Sequence, residues 1–221
     1  MPLQNRVDPF GVLHAVSERG LFTGNRGIIH DPDTRTLMKK RWTLPAWIIC
    51  EPDFGGRRRR PMGRNRPAPA PGGPDRAGWT ELFFLDEVTA LAAGHRPCFH
   101  CRRERARDFV ARFGAAVGIG EPRAPMLDRR LHKERVASGG RAVEIAMRDL
   151  AGLPDGAMVA ADGEAYAVRG GKALRWSFSG YGERRGFDAL SGRHLVLLTP
   201  ATTLAVLARG YAPVWHGSAG G

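Results

Sequence analysis

The sequence has few cysteines and no long apolar run. Cysteine occupies three of its 221 positions, an odd number and too few for the disulfide framework of a small secreted protein. No apolar stretch approaches the roughly 20 residues of a membrane-spanning helix, and the opening residues Met1 to Gln4 do not begin a signal-peptide pattern. We therefore expect a cytoplasmic protein without a membrane partner, in which cysteine binds a metal or reacts.

Acidic residues and lysine are also scarce. The chain has 34 Lys and Arg, nearly all Arg, against 22 Asp and Glu, which gives a net charge of +12. A positive chain attracts phosphate polyanions such as nucleic acids without reading their sequence. A high-GC genome, which enriches Arg, Ala, Gly and Pro throughout, explains the same composition without any nucleic-acid partner.

Much of the positive charge lies between residues 55 and 78. This segment holds seven Arg, five Pro and six Gly, and such a composition is typical of a loop that buries no apolar surface. We predict a mobile basic loop here. Its arginines Arg57, Arg58, Arg59 and Arg60 are candidates for contacts with a nucleic-acid backbone, and the alternative is a solvated insertion without a role.

Two of the cysteines follow a short helix-like segment at C-x2-C spacing. Cys98 and Cys101 end the run Ala93-Gly-His-Arg-Pro-Cys98-Phe-His-Cys101, and this spacing lets two thiolates bind one tetrahedral ion from a single turn. The third cysteine, Cys50, ends the strand-like run that begins at Trp47. The arrangement predicts one Zn²⁺ site; three unlinked thiols, with Cys50 a small buried apolar residue, are the alternative.

The run from Phe83 to Cys101 resembles the second half of the zinc-binding domain of the bacterial Ada adaptive-response DNA repair family. The shared pattern is a short strand, a helix ending in Ala-Ala-Gly, and then Arg-Pro-Cys-x-x-Cys. The strand ending at Cys50 resembles the strand that carries the first zinc cysteine of that family. The resemblance is close over residues 80–103, looser over 36–54, and interrupted by the insertion at 55–78.

This resemblance implies a zinc ion and a methyl-accepting thiolate. The family domain binds zinc through four cysteines, one of which takes a methyl group from a methylated DNA phosphate. By position, Cys50 matches the acceptor and Cys98 and Cys101 match the downstream zinc pair, while Phe54 stands where the family has its second cysteine. Zinc keeps thiols deprotonated, and a zinc-bound thiolate stays nucleophilic at neutral pH.

The fourth ligand is not evident from the spacing. We expect His30, because a strand over residues 26–30 would lie beside the strand of Cys50 and complete a Cys3His site. His100, between the paired cysteines, is the second candidate. Arg102 and Arg103 follow the cysteine turn at the start of a helix and either contact phosphate or belong to a solvated helix face.

The elements predict an α+β fold in two parts. Residues 1–121 are expected to form a small antiparallel sheet with helices around the zinc site, and residues 122–221 a second α+β region with a β-hairpin over 157–169. Strands are predicted over 26–30, 37–42, 47–51, 80–85, 173–178 and 194–198, and helices over 87–93, 102–117, 126–136, 142–150 and 200–208.

These features together indicate a zinc-binding, DNA-binding protein, with DNA alkylation repair or damage response as its role and Cys50 as the methyl acceptor. A structural zinc module that organises a protein or nucleic-acid surface without chemistry is the first alternative. The second is an enzyme whose active site lies in the second half, around His132, His194 or His216.

Overall fold

The structure is a computed structural model that describes residues 1–56 and 59–220, so Arg57 and Arg58 lie outside the described residues. Within these ranges the predicted α+β fold is confirmed: a mixed six-stranded sheet with helices is followed by an antiparallel six-stranded sheet built from hairpins. The described residues contain no helix that is long and apolar enough to span a bilayer.

The first sheet contains six short strands. In chain order they are Arg6–Val7 (β1), Leu13–His14 (β2), Phe22–Asn25 (β3), Ile48–Cys50 (β4), Leu82–Phe84 (β5) and Arg96–Pro97 (β6). Their order across the sheet is β2-β1-β5-β3-β4-β6. An antiparallel sheet was predicted, but the sheet is mixed. Strand β1 pairs in parallel with β5, and β4 pairs in parallel with β6.

The two faces of the first sheet differ because successive side chains of a strand point to opposite faces. Phe22, Ile49, Leu82 and Phe84 belong to the main hydrophobic core. The residues that alternate with them lie on the other face, where the register of the sheet sets Thr23 opposite Cys50 on one side and opposite Phe83 on the other. The face away from the core therefore carries one of the cysteines.

Two helices flank the cysteine turn. Helix α1 (Glu87–Ala92) begins at Asp86, whose carboxylate accepts a hydrogen bond from the backbone N–H of Thr89, as the predicted cap requires. Helix α2 (Arg103–Val117) is amphipathic and buries Phe109 and Phe113 in the core. Both helices match the predicted segments to within one residue.

The second half contributes two further helices and the second sheet. The helices are Ala124–Glu134 (α3) and Ala201–Ala208 (α4). The strands are Val143–Glu144 (β7), Met158–Ala161 (β8), Glu164–Arg169 (β9), Lys172–Ser177 (β10), Gly180–Arg185 (β11) and Leu195–Leu197 (β12), in the order β11-β10-β9-β8-β12-β7. The predicted hairpin is β8–β9, and its turn residues Asp162 and Gly163 both have positive φ.

Three local predictions are wrong. The strand expected over 26–30 and the strand expected over 37–42 are reduced to a single bridge between His30 and Leu37, since the chain leaves the sheet at Gly27, whose φ is +98°. The helix expected over 142–150 is replaced by β7, which pairs with β12, and by a 3₁₀ turn over Met147–Gly152. Sheet pairing overrides the helical spacing there.

The two halves of the chain share one core. Val206, Leu207 and Tyr211 pack in the same hydrophobic cluster as Phe109 of α2. Tyr211 also donates a hydrogen bond of 2.5 Å from its hydroxyl to the carboxylate of Glu87 in α1. The boundary near residue 121 stays a prediction, and the contacts across it hold α1 and α2 in place on either side of the cysteine turn.

The described part of the 55–78 segment contacts the rest of the fold. Met62 is fully buried, so the expectation that this segment buries no apolar surface is wrong at that residue. A bridge joins Arg66 to Arg76, and Arg64 forms an ion pair with Asp33 at 2.7 Å. The segment folds back on the open face of the first sheet.

Candidate metal centre

The three cysteines come together where two parallel strands end. Cys50 is the last residue of β4, and Cys98 directly follows β6. The ladder pairs Ile49 with Pro97, and the backbone N–H of Cys98 donates to the carbonyl of Ile49 at 2.9 Å. Cys50 and Cys98 are therefore neighbours across the ladder, and the turn that precedes α2 adds Cys101.

The thiol groups are close enough to bind one ion. The three sulfur atoms all lie within 4.8 Å of one another, and among the described residues this is the only group of three or more metal-ligating side chains. A tetrahedral zinc ion with Zn–S bonds of about 2.3 Å separates its sulfur ligands by about 3.8 Å. Cys50 and Cys98 are buried and Cys101 is partly buried.

The backbone around the sulfurs favours thiolate. The N–H of Glu51 points to Cys101 Sγ and the N–H of His100 to Cys98 Sγ, both at 3.4 Å. The positive end of the helix α2 dipole begins two residues after Cys101. Such donors stabilise negative charge on sulfur and orient the ligands of a metal.

The mutual contacts of the three thiols also favour a thiolate at Cys98. Hydrogen bonds from Cys101 and then Cys50 lower the pKa of Cys98 to about 2. The pKa of Cys50 is raised, because its proton is held by hydrogen bonds to Cys101 and Cys98 and because burial disfavours its charge. Negative charge on one sulfur disfavours charge on its neighbours, so a bound cation would be needed to hold all three as thiolates. A soft set of three sulfurs fits Zn²⁺.

The structure does not bring His30 to the three cysteines. Its Nδ1 lies 2.7 Å from the hydroxyl of Thr80, and its Nε2 lies 3.4 Å from the carbonyl of Gly63. The ring is fully buried in this position because residues 26–30 leave the sheet instead of extending it. His100, the other candidate, is exposed, and its ring contacts Phe54 edge-on with centroids 5.1 Å apart.

The arginines expected to meet nucleic acid have different environments. Arg59 pairs with Glu81 at 2.7 Å and lies over the ring of Trp79. Arg60 is exposed. Arg59 is therefore part of the fold of its own segment, and Arg60 is open to solvent.

Arg102 and Arg103 also differ. The side chain of Arg102 is 3% exposed and pairs with Glu51 at 2.9 Å and Glu87 at 3.0 Å. Its guanidinium is buried in the fold and is not presented to solvent, whereas the neighbouring Arg103 is exposed. Of the two, Arg103 has the environment that a phosphate contact needs.

A cavity of about 660 Å³ lies over the open face of the first sheet. All three cysteines line it. Its floor is formed by side chains of β3, β4 and β5 that point away from the core, and by Glu81, which precedes β5. These residues are Thr23, Asn25, Ile48, Cys50, Glu81 and Phe83. The three clustered cysteines therefore border this cleft.

Described residues between β4 and β5 also line this cleft. Phe54, Pro61 and Trp79 line its outer wall. The carboxylate of Glu81 anchors this segment, since it accepts hydrogen bonds from Arg59 Nε at 2.7 Å and from the backbone N–H of Met62 at 2.9 Å. Two residues of the expected basic loop, Arg59 and Pro61, thus line the cleft beside the cysteines.

Phe54, Trp79, Glu81 and Phe83 line the cleft, and none of them was predicted to belong to a site. The polar residues Thr23 and Asn25, two positions apart in β3, are the signal that predicts an open sheet face. It does not show which loop covers that face, because the strands come from distant parts of the chain.

Comparison of the chain with protein-family models, with curated proteins and with solved structures finds no match. Of the Ada-like prediction, the structure supports one part, a buried cluster of three cysteines that could hold a metal ion.

Proposed function

We propose that the protein binds one Zn²⁺ ion through the thiolates of Cys50, Cys98 and Cys101. The observation that carries this proposal is the convergence of three sulfur atoms from two separate strands and a helix-preceding turn to within 4.8 Å. Sulfur ligands at this spacing are typical of structural and catalytic zinc sites, and the backbone N–H groups aimed at two of the sulfurs are typical of their surroundings.

Three protein ligands leave one position of a tetrahedral ion for another donor. The cleft that all three cysteines line supplies access to that position. A site of this kind is typical of zinc that acts on or binds a ligand, whereas a purely structural site is closed by four protein ligands. The proposed role is therefore a metal centre that meets a partner molecule in the cleft.

Metal content and thiol accessibility test this proposal. Protein purified without added metal is expected to hold one zinc per chain, with its three thiols unreactive to a thiol reagent until a chelator is added. The variants Cys50→Ser, Cys98→Ser and Cys101→Ser are each expected to bind zinc at least tenfold more weakly. Folded protein with no zinc and three freely reactive thiols contradicts the proposal.

A finer proposal follows from the Ada-like residues: Cys50 accepts a methyl group from a methylated DNA phosphate. The sulfur–carbon bond forms as the carbon–oxygen bond breaks, and the phosphotriester leaves as a phosphodiester anion. The placement of Cys50 in the cleft lining supports it, as do the net charge of +12 and the exposed side chains of Arg60 and Arg103.

Mass spectrometry tests methyl transfer directly. Incubation with DNA that carries a methyl phosphotriester is expected to add one methyl group to the peptide containing Cys50 and none to the Cys50→Ser variant. DNA affinity is expected to fall with salt, and a double Arg60→Ala, Arg103→Ala variant is expected to weaken it. Zinc binding without DNA affinity or methyl transfer would favour the structural module predicted as the alternative.

A further inference from the structure

We propose that the cleft beside the cysteines binds a neutral, planar nitrogen heteroaromatic molecule whose ring nitrogen occupies the fourth position of the metal. This inference rests on the proposed zinc site and names the class of ligand that the site takes.

The walls of the cleft indicate a flat aromatic ligand. Phe54, Trp79 and Phe83 all line it, and aromatic rings favour offset or edge contacts with another ring. Phe54 is 39% exposed and Leu44, also in the lining, is 50% exposed. Large apolar side chains left open around one cavity are typical of a ligand site.

The aromatic wall is held in place by its neighbours. The guanidinium carbon of Arg59 lies 4.1 Å from the centroid of the Trp79 ring, and that of Arg6 lies 5.0 Å from the centroid of Phe83. Glu81 in turn fixes Arg59 by an ion pair. The rings are therefore positioned before a ligand enters, which lowers the ordering cost of binding.

The charge of the site favours a neutral donor. Three thiolates and one Zn²⁺ carry one net negative charge, so an anionic fourth ligand adds to the repulsion among the sulfurs. The carboxylate of Glu81 adds no attraction for a cation, since Arg59 compensates it at 2.7 Å. A ring nitrogen such as that of an azole combines a neutral donor, suitable for zinc, with a flat apolar body.

The size of the cavity sets the scale of the ligand. About 660 Å³ lies within the range of roughly 300–1,000 Å³ that small-molecule sites occupy. A fused two-ring heterocycle fits with room for a substituent. The occupant is therefore a small molecule.

Cobalt spectroscopy on the full chain tests the inference, with Co²⁺ replacing Zn²⁺ and benzimidazole as the probe. Benzimidazole is expected to shift the visible bands and to bind at least tenfold tighter than imidazole, which has the same donor and no second ring. Indole, which has the two rings and no free ring lone pair, is expected to leave the bands unchanged.

Two variants separate the aromatic wall from the metal. Phe83→Leu and Trp79→Leu are expected to raise the dissociation constant of benzimidazole about tenfold and to leave that of imidazole nearly unchanged. Phe178→Leu, which removes a partly exposed ring outside the cleft lining, is the matched control. Thermal unfolding of each variant checks that it is folded.

The outcomes distinguish this inference from the metal proposal. The proposed ligand class is overturned if the protein takes up cobalt but benzimidazole leaves the bands unchanged. It is also overturned if benzimidazole and imidazole bind with equal affinity in every variant. Either result leaves the metal site unaffected. Folded protein that takes up neither cobalt nor zinc overturns the metal site, and the ligand position with it.

Discussion

Arg96 and Asp128 form a buried, two-pronged ion pair. Nε and Nη2 of the arginine each lie 2.8 Å from a carboxylate oxygen of the aspartate, and the two side chains are 7% and 8% exposed. Arg96 lies in β6, two residues before Cys98, and Asp128 lies in α3 of the second half. The pair ties β6, the strand that precedes Cys98, to helix α3.

Removing one partner of this pair is expected to be strongly destabilising. Asp128→Ala leaves the Arg96 guanidinium buried without its counter-charge, which costs about 3–5 kcal/mol in comparable sites. The free energy of unfolding, measured by chemical denaturation, should fall by that amount. Asp33→Ala is the control, because its pair with Arg64 is exposed and should cost less than about 1 kcal/mol. Equal losses in the two variants would contradict the role given to the buried pair.

Stability is expected to decrease in mild acid because of His95. Burial, together with the positive charges of Arg26 and Arg135, lowers the pKa of this ring well below its ordinary value. The neutral ring accepts a hydrogen bond from Arg26 Nε at 3.3 Å. The unfolded chain therefore takes up a proton below about pH 6.5 while the folded chain does not, so protons favour unfolding.

The expected slope is at most about 1.4 kcal/mol per pH unit for this group. His95→Gln keeps an acceptor for Arg26 and is expected to reduce the loss of stability between pH 7 and pH 5. His194→Gln, whose side chain is 63% exposed, is the control and should leave the slope unchanged. His30 contributes in the same direction, because burial lowers its pKa as well. An identical slope in wild type and His95→Gln would exclude His95 as a source.

The parts of this fold that follow from the sequence are local ones. Asp86 caps α1, and Asp162-Gly163 turns the β8–β9 hairpin, because side chains and backbone preferences within a few residues decide those structures. The Cys98 and Cys101 turn is local in the same sense, and Cys50 joins it in the structure. These features needed no knowledge of the sheet order.

The sheet order and the cleft depend on distant parts of the chain. The prediction for His30 assumed that its segment extends the sheet beside Cys50, whereas Phe22–Asn25 occupies that place. Which strand pairs with which is decided by packing of the whole core, and local preference does not encode it. The contacts of Glu81 with Arg59 and Met62 beside the cleft could not be predicted for the same reason.

Glu81 is expected to control access to the cleft. Glu81→Ala removes the acceptor that holds Arg59 and the backbone N–H of Met62. The loss of charged hydrogen bonds, each worth about 1.5–3 kcal/mol, should raise the population of the open segment at least about tenfold. Cleavage by trypsin after Arg64 should accelerate by the same factor. Glu183→Ala removes an 80% exposed carboxylate and should leave the rate of trypsin cleavage unchanged. A cleavage rate in Glu81→Ala equal to that of the wild type would show that the Glu81 contacts do not hold the segment closed.

Metal removal is expected to lower the melting temperature of the wild type. An ion that binds the folded state alone adds about 2.7 kcal/mol of stability at a concentration 100 times its dissociation constant. For a chain of this size each kcal/mol corresponds to about 2–4 °C, so a chelator should lower the midpoint by about 5–10 °C. Zinc added back in excess should restore it.

Cys98→Ala separates the effect of the metal from other effects of the chelator. Cys98 is one of the three clustered cysteines, and its loss leaves two sulfurs, too few for a stable site. The variant should therefore melt near the chelated wild type and should not respond to chelator or to zinc. A midpoint that the chelator lowers equally in both proteins would mean that the stabilising ion binds elsewhere, because the three sulfurs would then contribute nothing to its affinity.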